Sequence, residues 1–301
     1  MSEAGLVEQP APVKPARRDH VPLGIAYMIG ATVLFAGSAA VTKWLLDTYP
    51  VGEVLFIRTV GSLAIVAAMI LPVAGLAVFR TARIGAHTVR AVSQGTSQAL
   101  IVLAISLLPL ASAFAINFSA PLFATLVSAV VLRERVGGAR WAALAVGFVG
   151  VLIITNPGTG TFQIGALFAL INAILYGSVT AGVRGMTTTE SAETLTMYQM
   201  LLLTLFFAPL LPLGFVLPTS VDFGAMILSG IANGLGQYWW TRALHLAPVG
   251  AVAPFHYFML VWTMILGFAV WGDVPTPTLL VGSAIVVASG LFLLWRETRR
   301  V

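Results

Sequence analysis

The chain has 301 residues, of which 58% are hydrophobic and 9% charged, with a formal net charge of +5, four histidines and no cysteine. Soluble proteins carry roughly a quarter charged residues, so this composition excludes a water-soluble domain and indicates an integral membrane protein. The lack of cysteine excludes disulfides, thiolate catalysis and Cys-ligated metals, and the positive excess, confined to one set of loops, reads as topology rather than as a nucleic-acid surface.

Residues 1–20 are polar, rich in Pro and Ala, and contain Lys14, Arg17 and Arg18. They are expected to form a disordered cytoplasmic tail. The apolar segment behind them is too long for a signal peptide and lacks a small-residue cleavage pattern. Ten apolar stretches then follow, at 21–46, 54–79, 91–108, 111–132, 138–155, 163–183, 195–217, 224–244, 249–271 and 277–295. At about 1.5 Å per residue each can cross a hydrocarbon core about 30 Å thick. A cytoplasmic N-terminus places Arg80, Arg83, Arg90, Arg133, Arg135, Arg140, Arg184, Arg296, Arg299 and Arg300 on one side, while the opposite loops hold Asp47, Glu53, Asp222 and Asp273. That asymmetry predicts N-in and C-in. Trp44, Trp141, Trp271 and Trp295 fall at span ends, as an interfacial belt would.

Residues 95–134 align with 234–273 without a gap, and the polar residues inside these oily stretches coincide. Gln94 and Gln98 match Asn233 and Gln237, Pro109 matches Pro248, Asn117-Phe118 matches His256-Tyr257, and Glu134 matches Asp273. Two units follow, 21–157 and 158–301, each with five spans. An odd number of spans makes the second unit enter from the opposite face. The expected fold is therefore all-α and membrane-integral, with ten transmembrane helices in two inverted five-helix repeats that form one transport domain.

From Leu108 the chain reads LPLASAFAINFSAPLFATLVSAVVLRERVGGARWAALAVGFVGVLII, ending in Gly147-x-x-Gly150-Val151. This resembles the EamA-type branch of the drug/metabolite transporter (DMT) superfamily over nearly the whole chain, with a weaker second copy from Leu246 to Leu294. The resemblance implies export of small metabolites, amino acids prominently, through a cavity between the third, fourth, eighth and ninth spans, helped by the first and sixth. Some relatives export aromatic amino acids. The second copy departs from the pattern at Gly272-Asp273, where the first has Arg133-Glu134.

Gln94, Ser97, Gln98 and Ile101 share one helical face, as do Asn233, Gly236, Gln237, Trp240 and Thr241. A buried amide costs several kcal/mol if unpaired, on the order of 2–7, so each needs a neighbouring helix or a wet cavity, and both readings stay open. Asn117 and Phe118, facing His256 and Tyr257, extend the candidate site, with Pro121 and Pro254 as hinges that leave carbonyls unpaired. His256 is the titratable group expected near mid-membrane, for substrate contact, proton coupling or packing. Arg58 is a candidate for a substrate carboxylate, or else snorkels or pairs with Asp47 or Glu53; Lys43 shares that choice. Tyr176, Trp262 and Tyr257 either add an aromatic wall or pack as bulky groups against lipid.

No catalytic residue, metal or cofactor is expected. The expected partners are a small-molecule substrate and membrane lipid, with no nucleic acid, as a monomer or as a dimer through the small residues around Gly147, Gly150, Gly282 and Gly290. The reading is an alternating-access secondary transporter of the bacterial inner membrane that exports small metabolites, most of all aromatic and other neutral amino acids. The alternative is a proton-coupled exporter of drugs or other metabolites in the same superfamily. A membrane-embedded lipid enzyme is a remote third reading, because none of the four histidines has a carboxylate partner at catalytic spacing.

Overall fold

The computed structural model describes residues 20–123, 126, 138–155, 164–184, 186, 190–247 and 249–298, and among them there is no strand. The tail up to residue 19, together with Arg133, Glu134 and Arg135, lies outside the described residues. The helices are α1 (Val21–Leu45), α2 (Val51–Ala74), α3 (Ile84–Leu107), α4 (Leu110–Asn117), α5 (Gly138–Thr155), α6 (Ile164–Arg184), α7 (Ala192–Phe207), α8 (Ser220–Leu246), α9 (Val249–His256), α10 (Phe258–Trp271) and α11 (Pro277–Thr298).

Four helical segments combine the length and apolarity of a membrane crossing, Val21–Leu45, Val51–Phe79, Ala192–Leu210 and Pro254–Trp271. With 24 and 27 residues, α3 and α8 are also long enough to cross. They carry the amides and hydroxyls of the candidate site, which lower their hydropathy.

Local sequence sets the ends. The Ser191 hydroxyl accepts from the Thr194 N–H to cap α7, and Thr219 does the same for Asp222 at the start of α8, each satisfying a donor the helix cannot. The stretch expected to be helical over 195–217 stops being so at Leu210. Pro212 lacks the N–H a helix needs, and Gly214 sits at φ 79, a conformation glycine adopts freely. The third span begins earlier than its apolar pattern predicts, at Ile84, which places His87 and Arg90 in its first two turns.

Two of the predicted spans are broken, at aligned positions. The fourth turns at 118–119 after α4 and resumes as helix by residue 120; the ninth turns at Tyr257 between α9 and α10. Bonds of the tighter i+3 type close both turns, Ser119 N–H to Ile116 O and Leu260 N–H to Tyr257 O, each 3.0 Å. Pro121 follows the first break and Pro254 precedes the second, so the expected hinge prolines flank the breaks rather than occupy them.

Helix α8 lies along α1 and α2, α6 lies along α3, α7 touches α2 and α3, α4 meets α6 and α10, and α5 packs against α11. The main apolar core runs through α1, α3, α4, α6, α10 and α11, with Ile105, Leu110, Phe114, Phe118, Leu260 and Val286 among its buried members. The small residues expected to allow close helix approach are used within the chain: Gly150 and Gly282 face each other's backbone, and Ser289 donates to the Ala143 carbonyl across α5 and α11.

Candidate functional site

The two helix breaks bring residues from both halves into contact. The Phe118 ring lies 5.7 Å from the His256 ring at an interplanar angle of 78°, and 5.0 Å from the Tyr257 ring at 45°. His256 Nδ1 is buried without a hydrogen-bond partner. A tetrad of aligned positions is thus three-quarters assembled around Phe118. Its fourth member, Asn117, faces another way and accepts from Asn172 Nδ2 at 2.6 Å.

Asn172, on α6, is the residue that the sequence reading passed over. Its Oδ1 accepts from Ser97 Oγ on α3, and its amide nitrogen donates to Asn117 on α4, so one buried amide ties three helices together. A lone amide inside an apolar span was the available signal, since such a group has no reason to be there without a partner. Ser97 shares a face with Gln94 and Gln98, yet it serves this internal bond rather than an open space.

Arg58, only 6% exposed, does not snorkel, and it meets no carboxylate among the described residues. Its Nη2 donates to Gln98 Oε1 at 2.9 Å and its Nη1 to Thr42 Oγ1 at 3.4 Å. The alternative partner Glu53 is buried and accepts from the Val216 backbone N–H at 3.0 Å. Lys43 is committed to the end of α3, donating to the Ile105 and Leu108 carbonyls, with its ammonium 5.5 Å from the Trp271 ring. A cation at a helix C-terminus complements the dipole there.

The remaining candidates are dispersed. Asn233 donates to Ser62 Oγ at 3.3 Å. Trp240 packs beside Met28, Ala243 and Val252, whereas its neighbour Trp239 crosses Gly30 of α1 and meets Tyr27 edge-on. Tyr176 packs near Ala120, Phe123 and Ala173. Trp262 donates to Thr32 Oγ1 at 3.2 Å, pinning α10 to α1. Among the described residues no hydrogen bond reaches the side-chain amide of Gln94 or Gln237, and both remain partly exposed although they lie mid-helix.

A sequence model of the EamA-like transporter family matches residues 22–156 and again residues 163–295. The chain belongs to the EamA-like transporter family. It is 30% identical over 281 residues to a riboflavin transporter of Rhizobium johnstonii, covering 92% of this chain and 93% of that one. It is 26% identical to the pseudopaline exporter CntI of Pseudomonas aeruginosa, over 91% of this chain and 97% of the relative, and 22% identical to an S-adenosylmethionine uptake transporter of Rickettsia conorii, over 92% and 94%. A solved crystal structure shares the fold at TM-score 0.63 and 20% identity, covering 94% of this chain and 99% of that one. This family member is therefore a membrane transporter of small molecules, and its relatives are named for transport rather than for catalysis.

A depression of about 290 Å³ in this EamA-like chain lies elsewhere, between α4, α10 and the turn before α11. Asp273 and Ser112 are among its few polar side chains, and none of the candidate site residues lines it. The aligned aromatic and amide groups around Phe118 offer a denser set of specific contacts and are the stronger site.

Proposed function

We propose that the chain is an alternating-access secondary transporter of the bacterial inner membrane, N-in and C-in, with ten spans in two inverted five-helix units at 21–157 and 158–301, and that a small metabolite binds where Phe118 meets His256 and Tyr257. The contact between these aligned positions carries the reading, because it falls at the two helix breaks, where a bend exposes backbone carbonyls and permits rocking. Duplication is supported by the two successive family matches. Exchange of the units is supported by packing: swapping them turns the α1–α8 pair into α6–α3 and the α2–α8 pair into α7–α3, and carries α5–α11 and α2–α7 onto themselves.

The aromatic faces of Phe118 and Tyr257 suit a flat or apolar body, and the free amides of Gln94 and Gln237 suit polar groups. A flavin is the first candidate, because the relative 30% identical over 92% of the chain is a riboflavin transporter. Aromatic and other neutral amino acids, the first expectation from the sequence, become the second reading, favoured by a buried cation at Arg58 able to hold a carboxylate. Relatives named for export and for uptake both resemble this chain. A rocking carrier is reversible, so export or import follows the gradients of substrate and coupling ion. His256 is the proposed coupling group, and Pro121 and Pro254 the hinges.

The test is initial uptake by proteoliposomes of riboflavin and of a radiolabelled amino acid panel, with and without an imposed pH gradient. Saturable flux that falls about tenfold or more in Gln237→Ala and His256→Ala, with both variants remaining folded and monodisperse, is the expected result. Wild-type flux in both variants would sink the site, and a flux indifferent to the pH gradient would remove His256 as the coupling group.

A further inference from the structure

Burying a guanidinium is costly unless its donors and its charge are both answered. Arg58 uses two N–H groups, on Gln98 and Thr42, and its Nε is buried with no partner. Arg90, on the same helix as Gln98, repeats the pattern: Nη2 donates to Gln199 Oε1 at 2.6 Å, Nη1 to the Leu195 carbonyl at 3.3 Å, and Nε is buried with no partner. An arginine offers five donors, so each keeps most of its capacity in reserve. Neither has a carboxylate within salt-bridge distance among the described residues. Among the described residues the one pairing of a basic side chain with a carboxylate is His87 with Glu190 at 3.9 Å, and Glu53 is engaged with the Val216 backbone.

The two cations are joined by geometry. Arg90, Gln94 and Gln98 are spaced i, i+4 and i+8 on α3, a single stripe about 12 Å long at 1.5 Å per residue. Arg58 reaches the far end of this stripe through Gln98. Between the ends stands Gln94, whose amide makes no hydrogen bond among the described residues. Each guanidinium therefore faces a neutral amide oxygen that an anion would outcompete, because an anion adds the attraction of opposite charges and accepts two parallel N–H bonds from the planar fork.

We infer that Arg58 and Arg90 are two stations for an anionic group, a carboxylate or a phosphate, carried by the transported molecule, with Gln94 as the neutral step between them. The inference rests on the transporter reading above and narrows its substrate class to organic anions and zwitterions. An anion at either station supplies the missing countercharge and occupies the idle Nε donor. Passing from one station to the other moves it along α3, the helix that contacts both α2 and α7.

The experiment uses matched probes that differ in the anionic group: flavin mononucleotide against riboflavin, and tryptophan against tryptophan amide. Initial uptake into proteoliposomes is measured with the membrane potential clamped at zero by equal potassium and valinomycin, so that probe charge does not itself drive flux. In at least one pair the anion-bearing member is expected to move about tenfold faster or more. Arg58→Gln and Arg90→Gln bring that ratio toward one while sparing the slower member, and Arg58→Lys, which keeps the charge, retains part of the preference. Equal or faster flux of the members that lack the anionic group in the wild type overturns the inference and leaves the transporter reading standing, whether or not the glutamine variants fold. A wild-type preference that survives in folded Arg58→Gln and Arg90→Gln removes these arginines as its source. Flux of no member of either pair overturns both the inference and the flavin and aromatic amino acid readings of the substrate.

Discussion

The α3–α6 seam and the seam that α8 makes with α1 and α2 adhere by different means. In the first, side chains do the joining: Ser97, Asn172 and Asn117 form a buried chain of hydrogen bonds across three helices. In the second, backbones come close. A Cβ on Gly230 would strike the Arg58 carbonyl, one on Gly61 would sit 2.7 Å from the Ile227 carbonyl, and the short hydroxyls of Ser38, Thr42 and Ser229 bond one another in the remaining gap. An amide chain can trade partners with a ligand or with water, whereas a glycine contact has nothing to trade. The difference teaches that the α1–α2–α8 group is the stiffer body and that α3, α4 and α6 hold the polar groups free to change partners.

The largest effect is expected at the close contact. Gly230→Val places a branched side chain against a carbonyl that cannot move without α2, a clash costing about 3 kcal/mol, and should sharply reduce folded protein in a detergent thermal-stability assay. Near-normal melting would show that the α2–α8 contact is looser than its geometry implies.

Next comes the hydrogen-bonded seam. Asn172→Leu leaves the Ser97 hydroxyl and the Asn117 amide buried without a partner, at a cost of about 1–3 kcal/mol. Ser62→Ala removes a hydroxyl that donates to Gly230 O at 2.7 Å and accepts from Asn233 Nδ2 at 3.3 Å; it leaves a carbonyl and the partly exposed Asn233 amide without that partner and should cost about 1 kcal/mol. Equal melting losses in the two variants would erase the distinction drawn between the seams.

The smallest effect sits at the N-terminal end of α8, ahead of its apolar stretch. Asp222 accepts from Tyr49 Oη at 2.6 Å and from Thr219 Oγ1 at 2.7 Å, and these hydrogen bonds, the one from Tyr49 first, hold its carboxyl below the usual carboxylate range. A depressed carboxyl stabilises the fold above its unfolded pKa of about 3.9, and that stabilisation is lost as the pH falls through the lower folded value. Tyr49→Phe should lower the melting temperature by less than about 2 °C at neutral pH, and the gap to the wild type should close below about pH 4. A gap that widens on acidification would mean that Tyr49 acts through packing instead.

Much of the site was legible as chemistry and little of it as geometry. Phe118, His256 and Tyr257 were readable because an aligned pair of polar and aromatic residues stood out within apolar spans, and they do meet. Gln98 and Arg58 were each singled out, but not their bond to one another, since they lie on different helices and helical spacing says nothing across a gap. Asn172 and Gln199 went unread because each is a single amide with no periodic companion on its own helix. Helical spacing set Trp240 on one face with Gln237, but that spacing carries no sign that both Trp240 and its neighbour Trp239 meet α1, the one beside Met28 and the other across Gly30.

By itself the sequence determined that the chain is a membrane protein, that it is helical, and which family it resembles, because hydropathy and polar coincidences are written along the chain and require no partner. Tertiary structure alone decided where α3 begins, where the fourth and ninth spans break, and which buried polar groups satisfy one another. Those outcomes depend on which helix stands opposite. A buried arginine or amide can bond any backbone carbonyl or side-chain oxygen within its reach, and only packing selects the one it meets.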